Sequence, residues 1–588
     1  MEDLTLQLAQ SELKKYNLTA KLKFDKKLPS FKITAKNGEI TIAGPTSVEL
    51  LYGVYELAEQ IGGYCFFEPG KDRFSKDRKE KHIADGVIVP AKKPLLTTRG
   101  FVQEFPFDDE TPQLFDWMAK NKMNYLQVWM KYYDLLSDEL KEMARIRGIT
   151  IESGHHNFNY WIPGRKYNQT HPEFFAEING KRIVSSDGKS ELLLSEQLCT
   201  TNKALRDEIV KNMLAYLDAH PEVKVIALNP NDGFGWCECK ECSKFYDKNE
   251  KGDLYSVSEH VYKANRIYHD LIRYVSAKLH EKRPDVELTF CAYVNYCAPS
   301  KGMTLPDGLV VWIANYWRCI NHTINDPRCP INSNYARDIL DWVKVKRGGK
   351  VLVYEYFMGI NFYISLPMVH STDIFKEVKW YAKNGVDGVI TQFHIPHWSV
   401  YGMNYYMFAK AARGENVSDA VPKMMTDLFG NGVSVRSLTS SVKATGFFKA
   451  LKKALLGIGS CLIPYPRALL TRISMDKCLQ LLGMAKDLRE STPGNRLSKD
   501  IVVWMEYLCR FKKLSDRNEA GKLTIKDVDD LEKWMHKYEG RRLFVFSRVT
   551  PYFDAIRDAV RNGKKWLHFN LDWEDKYVLK HEQMWRKK

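Results

Sequence analysis

The chain has 588 residues, of which 44% are hydrophobic and 27% charged, an ordinary globular balance in a chain long enough to bury several cores without disulfides or metals. Its 88 basic and 72 acidic residues give a net charge of +16. The basic residues, however, come in short pieces such as Lys452-Lys453, Arg541-Arg542 and Arg586-Lys587-Lys588 mixed with acids, with no basic stripe or nucleic-acid motif, which excludes nucleic acid as the expected partner.

No run approaches the ~20 apolar residues of a membrane span. The first twenty residues carry neither a basic n-region nor an apolar h-region, so the expectation is a cytoplasmic chain or one whose leader has been removed. Twelve cysteines at irregular spacing define neither a dense disulfide framework nor a compartment. Aromatic residues make up 12%, a share that suits a sugar binder.

Residues 1 to about 90 read as a small α+β unit. Phe31–Thr34 and Glu39–Ile42 alternate in strand fashion around Asn37-Gly38, a hairpin turn pair. Ser47 is the expected cap of a helix whose Leu50, Leu51, Val54 and Leu57 recur at helical spacing.

From about 91 to 430 the pattern becomes strand, helix, strand, helix. Strands are predicted at Thr97–Phe105, Asn124–Lys131, Gly148–His155, Val223–Asn231, Val286–Asn295, Leu309–Trp317, Lys350–Phe357 and Asp387–His394. Eight parallel strands with helices between them predict an α/β fold, a (β/α)8 TIM barrel, with a doubly wound sheet as the poorer alternative. The long excursion Asn157–Thr200 then projects from the catalytic face. Residues 431–588 read as a helical C-terminal domain.

In a barrel, chemistry sits at the C-terminal ends of the strands. These ends offer Arg99, Gln103 and Glu104; Trp129 and Tyr132; Glu152, His155 and His156; Asn229, Asn231 and Asp232; Tyr293, Asn295 and Tyr296. The circuit closes through Asn315, Tyr316, Trp317 and Arg318, then Glu355, Tyr356 and Phe357, then Gln392, His394, His397 and Trp398. Carboxylates and amides bind hydroxyl groups, and aromatic faces cover the C–H face of a pyranose, so the lining suits a neutral polyhydroxylated ligand.

Glycoside hydrolysis needs an acid to protonate the leaving oxygen and a second group to stabilise charge at the anomeric carbon. Asp232, at the polar tip of Val223–Asp232, and Glu355, near the end of the apolar strand Val351–Tyr356, are the expected pair. Burial would raise the pKa of Glu355 towards that of a working acid. The competing structural reading is an ion pair from Glu355 to Arg99 or Arg318. Glu152 and Glu104 stand next in line.

Cys199 with the C-x-C-x2-C run Cys237, Cys239 and Cys242 offers four thiols. They are expected to form a closed structural zinc site or, in a secreted chain, one disulfide and two free thiols. No catalytic cofactor is expected.

Leu198-Cys199-Thr200, then Pro230-Asn231-Asp232-Gly233 running into the cysteine trio, preceded by Gly53, Tyr55, Leu57 and Gly62-Gly63, resembles glycoside hydrolase family 163. The resemblance covers roughly Lys32 to Gly430. It implies a retaining endo-β-N-acetylglucosaminidase on complex N-glycans, in which the substrate's own 2-acetamido oxygen attacks the anomeric carbon. It also implies an accessory domain like that preceding family 20 hexosaminidase barrels, and an exported, periplasmic or cell-surface enzyme of a gut Bacteroides-type bacterium. On this basis Asp232, helped by Asn231, polarises the acetamido group and Glu355 is the acid/base, with the two roles open to exchange. The alternatives are an exo-acting β-hexosaminidase, an α-glucuronidase-like enzyme, or a glycan-binding protein on a degenerate barrel. The oligomeric state is not legible.

Overall fold

The computed structural model describes residues 3–74, 84–104, 106–182, 197–233, 235–246, 263–357, 364–393, 398–430, 435–456, 458 and 465–566. Its central feature is a closed barrel of eight parallel strands: Thr98–Gln103, Tyr125–Trp129, Thr150–Gly154, Val225–Ala227, Glu287–Ala292, Leu309–Ala314, Lys350–Glu355 and Gly388–Gln392. They pair in chain order, and the eighth closes onto the first. Apolar residues buried on both faces of each strand explain the near-continuous hydrophobic runs in the sequence. The first two strands approach so closely that a Cβ at Gly100 would lie 1.9 Å from the Tyr125 carbonyl oxygen.

Each predicted strand is present but shorter, and the fourth is cut most, to Val225–Ala227. The cause is Asn229. Its Nδ2 donates to the His155 carbonyl (2.8 Å) and its Oδ1 accepts the Cys291 N–H (2.7 Å). A side-chain amide thus replaces ladder bonds to both neighbouring strands and ends the regular pairing.

Before the barrel, a four-stranded sheet in the order Lys21–Phe24, Glu39–Gly44, Lys32–Lys36, Gly86–Val89 packs on the helix Ser47–Gln60. Asn37 (φ 51°) and Gly38 (φ 78°) form the expected turn with both residues left-handed. The helix cap is Thr46, whose hydroxyl accepts the Glu49 N–H, rather than Ser47. An additional helix, Leu4–Lys15, is capped by Asp3. This unit has its own hydrophobic core.

After the barrel the chain is helical, from Val417–Phe429 to Phe546–Arg561. These helices share one hydrophobic core with the barrel. The contact is also polar: Trp504 Nε1 donates to the Ser365 carbonyl (2.9 Å) and the Tyr507 hydroxyl to that of Ile364 (2.7 Å). Among the described residues no helix is long and apolar enough to cross a membrane.

Candidate active site

Side chains alternate between the two faces of a strand, so every second residue of the barrel strands points inward. At the C-terminal ends these residues are Trp129, Cys291, Tyr293, Trp312, Ala314, Tyr316, Tyr354, Tyr356 and Gln392, and they line a cavity of about 180 Å³. Glu104, His155, His156 and Asp232 complete the wall from just beyond the strand ends. The pocket therefore has aromatic sides, two carboxylates and two imidazoles.

Glu104 follows the first strand. The Tyr354 hydroxyl and Gln392 Nε2 each donate to its Oε1 at 2.7 Å, and His155 Nε2 lies 3.6 Å from the same oxygen. Burial alone would push its pKa up, but His155, Tyr354 and Gln392 outweigh that and hold it down at about 2. Glu104 is therefore a fixed anion at any physiological pH. His155 reaches it through a left-handed backbone (φ 65°) that breaks the third strand and turns the ring onto Trp129, with centroids 4.3 Å apart. That unusual conformation for a non-glycine residue is the kind found where function fixes a side chain.

Asp232 stands on the loop after the fourth strand, with 47% of its side chain exposed and its Oδ1 3.9 Å from His156 Nε2. His156 Nδ1 lies 2.6 Å from the Pro230 carbonyl, to which it donates. Burial lowers the His156 pKa, against the opposing charge of Asp232. A neutral ring with its proton on Nδ1 then presents the Nε2 lone pair towards Asp232, and since 3.9 Å is wider than a hydrogen bond the two groups must close on each other before a proton passes between them.

Of the residues expected from sequence, Glu104, Trp129, His155, His156, Asp232, Tyr293, Tyr316, Tyr356 and Gln392 line this cavity. Glu355 does not. Its neighbours Tyr354 and Tyr356 face inward, so its carboxylate faces outward and is fully buried beneath the helix Ser371–Lys383. There it accepts from Arg318 Nη1 (2.7 Å) and from the Tyr381 hydroxyl, and Arg318 also pairs with Glu377. The ion-pair reading of Glu355 is the correct one, with Arg318 as partner.

Glu152 points inward but one layer below the cavity. It accepts from the Tyr125 hydroxyl (2.7 Å), Gln127 Nε2 (3.0 Å), Thr289 Oγ1 (2.5 Å) and Trp312 Nε1 (3.3 Å), a polar plug in the barrel interior. Burial raises its pKa against these donors. Arg99 is buried, with its guanidinium on the carbonyls of Lys122, Leu96 and Thr97, away from the cavity.

Asn229 is the strand-ending wedge. Asn231 ties two loops through Asn159 (Nδ2 to Oδ1, 2.6 Å). Asn295, Asn315 and Trp317 are buried and absent from the cavity wall. Trp398 is a core residue whose Nε1 donates to the Phe67 carbonyl. His394 and His397 lie outside the described residues. Trp312 and Tyr354 were missed; counting back four residues from Tyr316 and two from Tyr356 finds them.

The four cysteines converge. Cys199 Sγ lies 3.7 Å from Cys239 Sγ and 3.8 Å from Cys242 Sγ, and all four sulfurs fall within 4.8 Å of one another. The edge of a tetrahedron with ~2.3 Å Zn–S bonds is ~3.8 Å, so the set has the spacing of a closed zinc site. No described cysteine is in a disulfide.

Among solved structures, the chain is similar to a family GH138 enzyme targeting pectin rhamnogalacturonan II, with 11% identity, TM-score 0.55, and coverage of 99% of this chain and 77% of that one. The Flavobacterium johnsoniae chitobiase of family GH20 aligns at 13% identity and TM-score 0.42 over 92% of this chain and 89% of its own. A β-N-acetylhexosaminidase from Bacteroides fragilis aligns at 14% and 0.43 over 70% and 83%. At such identities the first likeness establishes the shared barrel fold alone. No curated protein matches the sequence. Residues 85–413, more than half of the chain, match the model of DUF4838, a domain of unknown function, and the chain belongs to that family.

Proposed function

We propose that the protein is a retaining glycoside hydrolase, an endo-β-N-acetylglucosaminidase that cleaves complex N-glycans with the substrate's 2-acetamido oxygen as nucleophile. The observation that carries this reading is the pairing of Glu104 and Asp232 in one aromatic-walled cavity at the C-terminal end of the barrel. With Glu355 outside the pocket, the roles shift. Glu104, kept anionic by the Tyr354 hydroxyl, the Gln392 amide and the nearby His155 ring, takes the N–H of the acetamido group and orients its oxygen towards the anomeric carbon. Asp232, half-exposed and beside His156, protonates the leaving oxygen and recovers the proton from water when the oxazolinium opens.

Tyr293, Tyr316 and Tyr356 offer faces for the sugar ring. A structural zinc on Cys199, Cys237, Cys239 and Cys242 would fix the far end of the loop that carries Asp232. Since complex N-glycans are displayed outside cells, the reading places the protein in the periplasm or at the cell surface.

Mass spectrometry of products from an N-glycan panel tests this proposal. Release of oligosaccharides bearing one reducing-end GlcNAc supports it. The cavity, at about 180 Å³, is below the ~300 Å³ of a site for larger ligands, which favours an exo-acting hexosaminidase as the second reading. Monosaccharide release alone would establish that alternative.

A further inference from the structure

A second cluster of soft ligands lies apart from the cavity and from the four cysteines. The sixth barrel strand ends at Ala314, and a loop runs from there to the helix Pro330–Lys344, whose N-cap residue is Cys329. On this loop Cys319, His322 and Cys329 bring two sulfurs and a ring nitrogen within 4.8 Å of one another. Both thiols are fully buried and the imidazole is partly buried. His322 Nδ1 lies 3.1 Å from Cys319 Sγ.

The loop is shaped for this convergence by a residue that contributes no ligand. Asn332 is buried. Its Oδ1 accepts the Cys319 N–H (2.8 Å), and its Nδ2 donates to the carbonyls of Cys319 (3.0 Å), His322 (2.9 Å) and Thr323 (3.2 Å). The Cys329 N–H closes the turn onto the Asp326 carbonyl at 3.0 Å. Backbone satisfaction therefore does not explain the side chains. Core packing alone would be served by any small apolar residue at 319 and 329, and an imidazole with a nitrogen aimed at a buried thiol serves it poorly.

We propose that Cys319, His322 and Cys329 form a second metal site, taking zinc through two thiolates and one imidazole with water in the fourth position. Two cysteines and a histidine are a known zinc ligand set that leaves one position open. The partly exposed His322 marks the side on which water enters. In a zinc tetrahedron the S···N edge is ~3.6 Å, so the ion spreads the present contact by about half an ångström. Both thiols release their protons on binding. The bound ion staples the loop that begins beside the cavity residues Ala314 and Tyr316, so the cavity wall is held from outside the barrel.

The test is elemental analysis of the full chain purified in the presence of zinc, wild type against His322→Ala, Cys329→Ser and, for the other cluster, Cys239→Ser. Loss of about one zinc per chain in both His322→Ala and Cys329→Ser, additive with the loss in Cys239→Ser, is expected. Cobalt loaded in place of zinc should show weaker thiolate-to-metal absorption in the same two variants. If Cys329→Ser does not fold, His322→Ala, altered at a partly exposed side chain, carries the same readout. Wild-type metal content in His322→Ala, or a Cys319–Cys329 disulfide in peptide maps of the wild-type protein, would overturn the proposal.

Discussion

Glu355→Gln separates structure from catalysis. The substitution keeps the shape of the side chain and an oxygen acceptor but removes the charge. Deleting one partner of a buried ion pair ordinarily costs about 3–5 kcal/mol, because the other charge is left uncompensated. Here Arg318 retains Glu377 on its other nitrogen. Burial, reinforced by the charge of Glu355, raises the Glu377 pKa against the pull of Arg318, so removing that charge lets Glu377 ionise more readily and take over the pairing. What remains is the difference between charged and neutral acceptors in the two bonds from Arg318 and Tyr381, about 1 kcal/mol each and about 2 kcal/mol in all. Arg318→Met, which leaves two buried carboxylates without a cation, should cost at least about 3–5 kcal/mol. Urea unfolding measures both. Glycan cleavage by Glu355→Gln should remain within a few-fold of wild type, whereas loss of a general acid lowers the rate by about 10²–10⁴-fold. A fall of that size on the glycan, with a nitrophenyl glycoside spared, would refute this reasoning and restore Glu355 as the acid.

Three further outcomes follow from the site. Asp232→Asn should slow glycan cleavage by about 10²–10⁴-fold but spare a nitrophenyl N-acetylglucosaminide, whose leaving group departs without protonation, whereas Glu104→Gln should slow both substrates and weaken binding of a thiazoline mimic of the oxazolinium. The Glu104 pKa is depressed, so the negative charge persists above about 2 and any stability it contributes is present above the unfolded-state value and lost only as pH falls through about 2; the acid limb of a kcat/KM profile should therefore lie at the same pH in Glu104→Gln and wild type. Cys239→Ser should release zinc and lower glycan cleavage by displacing the loop that carries Asp232, as metal analysis and kinetics on the same sample will show.

Most of the barrel was legible because parallel strands buried on both faces leave long apolar runs, and polar residues mark where each run ends. The same property hid the phase of those strands. In Val351–Tyr356 both faces are apolar, so nothing in the sequence shows whether Tyr354 or Glu355 points inward, and the charged residue was assigned to the pocket. Asp232 escaped this ambiguity because it sits on a loop beyond its strand. Glu104 was visible as a strand-end carboxylate, but its donors Tyr354 and Gln392 come from residues 250 and 288 positions away, a pairing that only barrel closure creates. Asn229 and Asn231 looked like sugar ligands because buried amides that serve the backbone carry the same chemistry as amides that serve a substrate. The Cys319, His322 and Cys329 set went unnoticed because its uneven spacing matches no common finger.

The shared core between the barrel and the helices after Phe429 bears on where the molecule can be divided. The family match stops at residue 413, yet Trp504 and Tyr507 are buried with their polar atoms on carbonyls of the loop after the seventh strand. A fragment ending at the family boundary would expose that apolar seam to water and strand those carbonyls, and exposed patches of this kind drive self-association. The helices are thus part of the folding unit that holds the cavity end of the barrel in shape, and gene fusions or truncations that respect the family boundary alone would yield aggregates rather than a smaller folded domain.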